Sequence, residues 1–473
     1  MLFNSVTFLL FFIYILIVHY SKLPWSIKKG HLLFGSYVFY AAWNPPFVIL
    51  LFLSTFVDWN LAKKIHACQS DKHRKYWLWL SLIFNLGLLS VFKYSGFILE
   101  NFESVLTGIG LDMTFSDPGF ILPMGISFYT FQTLSYTIDI YYKKIKPHHG
   151  FLDYALFVSF FPQLVAGPIV RAKTFLPQLK NQNRITFDVF STGISLFIVG
   201  IFTKTVLADA FFAPFVNTVF VDNAQPDLLS SWLAGLFFYG QIFCDFAGYS
   251  LCAIGAALCL GFTLPFNFNS PFAAIGFSDF WRRWHISLSS WLRDYLYIPL
   301  GGNRLGSFNT FRNLMITMLL GGLWHGAAWT FVIWGGLHGF YLMAERWLKS
   351  LFAPSAFFKL KIMQFIFMLI TFFCVMLAFV LFRAENVPQA LSLVMGMLSM
   401  QESQALIKWD LWTQIVVVSF ITLFFFQWMT KNKDIDVVLI KMPVIVRSVV
   451  LSLALILIAL SSGDSDAFIY FQF

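Results

Sequence analysis

Three of the nine histidines fall between residues 285 and 338, in a chain whose other reactive side chains are sparse. His325 stands in LLGGLWHGA, Leu319 to Ala327, near the middle of an apolar run from Leu314 to Met343. An imidazole at membrane depth is costly to bury and marks a functional candidate. In its neutral form it can accept a proton from a hydroxyl near physiological pH. Trp324 precedes it, and the small residues Gly326, Ala327 and Ala328 leave room for a substrate beside it. The bland alternative is a core histidine bonded to a carbonyl.

His285 offers a second imidazole. It would orient a substrate or stabilise charge developing on an acyl oxygen, or else it is one more ring in an interfacial aromatic belt. His338 follows His325 by 13 residues, about 220° around a continuous helix, so the two face apart and His338 reads as packing. No histidine pair at i, i+4 supports a metal site. Cys244, Cys252, Cys259 and Cys374 lie in apolar runs and Cys68 in a polar loop, with neither zinc nor disulfide spacing. No Gly-x-Ser-x-Gly elbow occurs. Acyl transfer would therefore proceed by base-assisted direct attack and not through an acyl-serine.

Asp139, Asp209 and Asp245 lie in or beside apolar runs and must meet a cation or a polar network. A proton path is one reading, and an ion pair with one of the arginines the commoner one. Gly301-Gly302-Asn303-Arg304 either gathers amides and a guanidinium around a phosphate or simply ends a helix.

The elements that position these groups follow from periodicity. A helix from Asp279 to Tyr295 would place Phe280, Trp281, Trp284, Leu288, Trp291, Leu292 and Tyr295 on one apolar arc, with His285 at its edge. Arg282, Arg283, Ser289, Ser290, Arg293 and Asp294 fall opposite. Three arginines cannot face lipid, so this helix lies along an interface or lines a cleft.

With 58% hydrophobic and 12% charged residues, the chain is a polytopic membrane protein. The net charge of +9 comes from basic residues clustered in short loops, the positive-inside pattern and not a nucleic-acid surface. Leu2 to Tyr20 lacks a basic leader and a cleavage site, and reads as a retained first helix.

Basic loops (22–29, 63–75, 143–146, 171–184, 282–312, 346–361, 431–447) belong in the cytoplasm. Acid-bearing ones (100–117, 222–227, 385–410 and the tail after Asp464) belong outside. Full spans are expected near 2–20, 77–98, 119–142, 189–211, 231–262, 362–382, 411–430 and 443–461.

Three apolar runs join basic loops and must turn back or break: His31 to Val57 at Asn44-Pro45-Pro46, Phe151 to Ala166 around Pro162, and the run around His325. The last predicts a cavity in the membrane with His325 at its wall. No soluble domain and no internal repeat is visible. Residues 1–473 read as one membrane domain with a catalytic core at about 265–345.

On these residues the chain resembles the membrane-bound O-acyltransferase (MBOAT) family, in its bacterial branch of alginate and peptidoglycan O-acetylation. The similarity rests on DFWRRWHISLSSWLRDYLYIPLGGNR (Asp279 to Arg304), Arg312-Asn313-Leu314 and LLGGLWHGA. It is extended by LPMGISFYTFQTLSYTIDIY (Leu122 to Tyr141), VAGPIVR (Val165 to Arg171), RAEN (Arg383 to Asn386) and the terminal FIYFQF.

The resemblance implies an all-α fold with about eight full spans plus re-entrant or broken helices around a central funnel, with His325 as the essential histidine and His285 as its companion. It implies transfer of an acetyl group from a cytoplasmic thioester, acetyl-CoA, towards an envelope polysaccharide. An extracytoplasmic acetyltransferase partner would complete that transfer. Trp281, Arg282, Trp284, Arg293, Asp279, Trp324 and Gly326 are the expected lining residues, with Arg282, Arg283 and Arg293 attracting an anionic donor. A D-alanyl donor is a more distant option. One segment departs from the branch pattern: Leu251 stands where an aspartate is usual, in DFAGYSLC from Asp245 to Cys252. The reading from another class is a transporter or flippase with a proton relay, for which the matching broken helices of inverted halves are not found.

Overall fold

Backbone amides in lipid must be satisfied within the chain, which leaves helices as the natural solution for runs of this kind. Among the described residues the computed structural model is helical, and strand-like pairing is confined to an isolated bridge between Pro226 and Gln404. The structure describes residues 1–116, 118–148, 150–221, 224–352, 360–399 and 404–461. The terminal FIYFQF and the acidic tail after Asp464 lie outside the described residues.

Among the described residues, six helices are long and apolar enough to cross a membrane: Pro46–Ala67, Asp71–Gly108, Phe187–Val219, Leu228–Cys259, Lys361–Arg383 and Leu411–Met429. Five coincide with expected spans. The ranges 2–20 and 443–461 hold shorter apolar helices, Val6–Tyr20 and Val444–Leu460. In 119–142 the helix begins only at Ile126, after Gly125 in the left-handed region. The sixth spanning helix corrects the expectation for His31 to Val57. The chain does turn at Asn44-Pro45-Pro46, but Pro46 starts a helix that continues well past Val57.

The helices group into two units, Met1–Ile194 with Ala253–Pro265, and Ser195–Cys252 with Phe266–Phe473. In the first, α1 (Val6–Tyr20), α2 (Trp25–Ala41), α3 (Pro46–Ala67), α4 (Asp71–Leu89), α5 (Ile126–Tyr141) and α6 (Phe151–Ser159) carry the packing. Helix α6 stops before Phe160, and a four-residue turn containing Pro162 follows, fully buried. This is the break expected of that run. A polar knot joins α3, α4 and α5. Asp58 is buried and accepts from Ser81 Oγ at 2.7 Å and from Asn85 Nδ2 at 3.0 and 2.9 Å, while Thr133 Oγ1 donates to Asn85 Oδ1 at 3.2 Å. Sequence reasoning passed over Asp58, whose partners lie on other helices.

The second unit contains His285, His325 and His338. Helix α7 (Phe187–Phe202) runs on into a π-helical stretch, Thr203–Phe212, and α8 (Leu228–Cys259) packs against it so closely that a Cβ on Gly200 would stand 2.6 Å from the Gly248 carbonyl oxygen. Two short helices follow, α9 (Phe277–Arg283) and α10 (Ile286–Leu292). Then come α11 (Gly306–His325), α12 (Trp329–Phe352), α13 (Lys361–Arg383) and α14 (Leu411–Met429).

Helices α11 and α12 form an antiparallel hairpin broken at Gly326, whose backbone is extended. The run around His325 therefore breaks part way, as the flanking charges demanded. Glycines set its spacing: a Cβ on Gly322 would lie 2.2 Å from the Phe331 carbonyl oxygen, and one on Gly335 2.3 Å from that of Met318. Close backbone approach of this kind is how small residues join helices in lipid, where no hydrophobic force drives association.

Candidate active site

The amphipathic helix expected from Asp279 to Tyr295 is not continuous. Trp284 is extended and His285 adopts φ 42°, ψ 54°, which separates α9 from α10. A left-handed conformation costs a non-glycine residue about 1–2 kcal/mol, so neighbours must hold it. They do so through the segment before α9. Ile286 N–H donates to the Asn267 carbonyl at 2.9 Å, Ser287 N–H to Asn267 Oδ1 at 3.3 Å, and Asn269 N–H to the Arg283 carbonyl at 3.0 Å. Asn267 Nδ2 is in turn anchored on Ser250 Oγ of α8 at 3.1 Å. The kink turns His285 inward, where it is fully buried with its ring edge-on to Phe246 at 4.6 Å.

His325 ends α11 and faces the same interior. Its ring centroid lies 6.4 Å from that of His285, with the planes at 58°. Trp324, Trp334 and Phe382 surround it at 5.0, 5.1 and 5.2 Å, and Trp324 also lies 6.0 Å from His285. At 3% exposure His325 is nearly enclosed. The space expected beside Gly326 is taken up: a Cβ there would meet the Phe331 ring at 2.0 Å. Glycine at 326 thus serves the packing of Phe331.

The remaining lining candidates separate. Trp281 touches Trp334 and His338, at 5.9 and 5.1 Å. Trp284 is buried among Phe268, Phe280, Tyr239 and Phe379. Asp279 accepts from Ile275 N–H and from Arg283 Nε, at 3.0 and 2.9 Å, so it fixes the start of α9. Arg283 also donates to the Asn269 carbonyl and to Asn432 Oδ1. It is committed to structure, whereas Arg282 and Arg293 remain exposed, at 73% and 63%. Gly301 and Gly302 form the turn after α10, pinned by Asn313 Nδ2 donating to the carbonyls of Leu300 and Gly302 at 3.1 and 3.0 Å. That is the helix-ending role.

The helix break also overturns the premise that set His338 apart, since residues 325 and 338 do not share a helix. Trp334 bridges them, 5.1 Å from His325 and 4.6 Å from His338. Among the described residues Asp139, Asp209 and Asp245 pair with lysines. Lys204 Nζ lies 2.6 Å from Asp209 Oδ1 and 2.9 Å from Asp245 Oδ1, all three nearly sealed, and Lys144 pairs with Asp139 at 3.3 Å. Lys204 escaped notice as one cation in an apolar run, although an intramembrane lysine was itself the signal. Phe246, Asn267, Trp334 and Phe382 were not legible, because nothing in residue type distinguishes them from core.

Two buried imidazoles 6.4 Å apart, in a site without a nucleophilic elbow, suit proton transfer from a hydroxyl and stabilisation of the resulting oxyanion. Comparison with known proteins identifies the family. Residues 141–385 match the model of the membrane-bound O-acyltransferase family. The chain is 39% identical over 400 residues to a probable alginate O-acetylase of Azotobacter vinelandii, covering 84% of this chain and 78% of that one. It is 39% identical over 432 residues to a peptidoglycan O-acetyltransferase of Helicobacter pylori, covering 85% and 80%. With a probable alginate O-acetylase of Pseudomonas putida the identity is 36% over 495 residues and both chains are covered completely. The transporter alternative gives way to an acyltransferase, a multi-pass membrane protein, and the chain belongs to the membrane-bound O-acyltransferase family.

Proposed function

We propose that this protein is an inner-membrane O-acetyltransferase that carries an acetyl group from acetyl-CoA on the cytoplasmic side towards hydroxyls of an envelope polysaccharide, alginate or peptidoglycan. The observation that carries the reading is the His285–His325 pair, 6.4 Å apart, in a chain so similar to proteins named for those two acetylations. His325 takes the proton of the attacking hydroxyl as its oxygen bonds to the thioester carbonyl carbon. His285 stabilises the charge that gathers on the carbonyl oxygen. The carbon–sulfur bond then breaks, and the thiolate leaves with the proton held by His325. An extracytoplasmic acetyltransferase partner, as the resemblance implies, receives the acetyl group. Basic loops face the donor side, as the charge rule requires, and exposed Arg282 and Arg293 attract its phosphates.

The test is His325→Ala in the intact cell, with acetyl esters on alginate and on peptidoglycan measured separately. Ester loss on one polymer, with normal amounts of inserted protein, supports the reading and names the substrate. Unchanged esters on both would sink it.

A further inference from the structure

Two neighbouring lysines at the start of α2 are treated differently by the fold. Lys29 is neutralised by Asp153 of α6. Lys28 is 5% exposed, yet among the described residues it meets no carboxylate, and its ammonium donates to the neutral Gln182 Oε1 at 3.1 Å. A buried charge without a counter-charge is costly. The partner that Lys28 lacks is an anion.

Other groups converge on the same place. His19, at the end of α1, is 1% exposed with both ring nitrogens sealed and without a hydrogen bond, the Leu260 carbonyl standing near the ring but outside bonding geometry. Buried polar groups are nearly always satisfied. The imidazole lies within range of the Lys28 charge and 6.0 Å from the ring of Trp25, the first residue of α2. Gln182 links the two, since its Nε2 donates to the His19 carbonyl at 3.5 Å. His31, one turn beyond Lys28 on the same side of α2, is a second imidazole with both nitrogens sealed and unbonded.

The helix end adds its own field. The amides of Trp25, Ser26 and Ile27 precede the first intrahelical bond, from Lys28 N–H to the Pro24 carbonyl at 3.1 Å, and no side chain caps them. Helical side chains lean towards the N-terminus, so Lys28 leans over those amides. A helix start attracts phosphate through its amides and its dipole, and here a buried ammonium and a buried imidazole stand beside it. One uncompensated positive charge matches a phosphate that carries a single negative charge, as a phosphodiester does. The site opens at exposed Gln182, and exposed Leu23 and Ile27 flank it, an apolar setting that suits the headgroup level of a bilayer.

We propose that Lys28, His19 and the start of α2 bind a phosphate group at the membrane surface, carried by a phospholipid headgroup or free in solution, and that the bound phosphate clamps α1, α2 and the loop of Gln182 together. The site lies wholly within the first unit. It stands independently of the reaction proposed above.

The test is thermal melting of the full-length protein, stripped of lipid in a neutral detergent, against rising phosphatidylglycerol in mixed micelles and separately against inorganic phosphate. A saturable rise in Tm gives Kd. A rise with phosphatidylglycerol alone identifies a lipid headgroup, and a rise with inorganic phosphate shows that the free anion suffices. Lys28→Met should raise Kd at least about tenfold, the loss of a charge-assisted hydrogen bond. Lys28→Arg, which keeps the charge and the donors, should stay within about threefold of wild type. Lys22→Met removes an exposed charge from the same turn and should shift Kd by less than about twofold. His19→Phe keeps a ring without its nitrogens, and should weaken binding about fivefold or more, which serves should Lys28→Met not fold. Wild-type affinity in both Lys28→Met and His19→Phe, or an equal loss in Lys22→Met, would mean that the overall charge of the turn attracts the ligand. No saturable rise with either probe would mean that Gln182 alone holds Lys28. Each of these results overturns the proposal.

Discussion

The rings of His285 and His325 lie 6.4 Å apart, forty residues apart in sequence, because one is thrust inward by a left-handed kink and the other ends a helix at the tip of a glycine-packed hairpin. Neither position has slack. The site's geometry is therefore sensitive to residues that never touch a substrate.

In the proposed reaction the two imidazoles would act on one transition state, so their losses should not add. His325→Ala is expected to lower the acetylation rate by about 10²- to 10⁴-fold, and His285→Ala/His325→Ala to be no slower than His325→Ala alone. Rates measured on membranes with matched protein levels check this; a double variant slower by the product of both single losses would mean that the histidines serve separate steps.

Asn267 holds the kink with its side chain, accepting from Ser287 and donating to Ser250. Asn267→Ala should cost about 1–3 kcal/mol of stability and reduce activity further than the unfolded fraction explains. Thermal melting and activity on the same preparation separate the two effects.

Gly335 faces Met318 and Gly322 at backbone contact distance. Gly335→Ala overpacks α11 against α12 and should destabilise the protein by about 1–3 kcal/mol. Gly336→Ala, whose Cβ would stand 3.5 Å from Leu319, should be close to neutral. Equal loss of folded protein in the two would contradict the packing described.

Lys204 balances Asp209 and Asp245 at the π-helical stretch. Lys204→Met removes the cation that two buried acids share and should cost about 3–5 kcal/mol. Adding Asp209→Asn and Asp245→Asn should restore much of it. Yields of folded protein from the single and triple variants test the point.

Lys431, just past α14, is held below the ordinary lysine range first by partial burial and then by the nearby Arg283 charge, with Asp279 opposing. A lysine that loses its proton more readily when folded weakens the folded state at neutral pH. That penalty is relieved as pH rises from its depressed value towards the ordinary 10.5. Lys431→Gln should be at least as stable as wild type at pH 7, and its advantage should shrink as pH climbs through that window. Melting curves of both proteins over pH 7 to 10.5 decide it.

The sequence by itself determined the membrane class, the family, and the two breaks demanded by basic loops on both sides of one apolar run, because hydropathy, loop charge, proline and long matching strings are local properties of the chain. It also singled out His325 and His285 by type. Only the tertiary structure decided that α9 and α10 are separate, since the kink depends on Asn267 reaching across from another segment. It alone brought His338 to the far side of Trp334, by breaking the helix that periodicity assumed continuous. It paired Asp209 and Asp245 with Lys204, filled the space at Gly326 with Phe331, and assembled the polar knot of Asp58. In each case the partner is distant in sequence and unremarkable in type, so the contact exists only once the helices have packed.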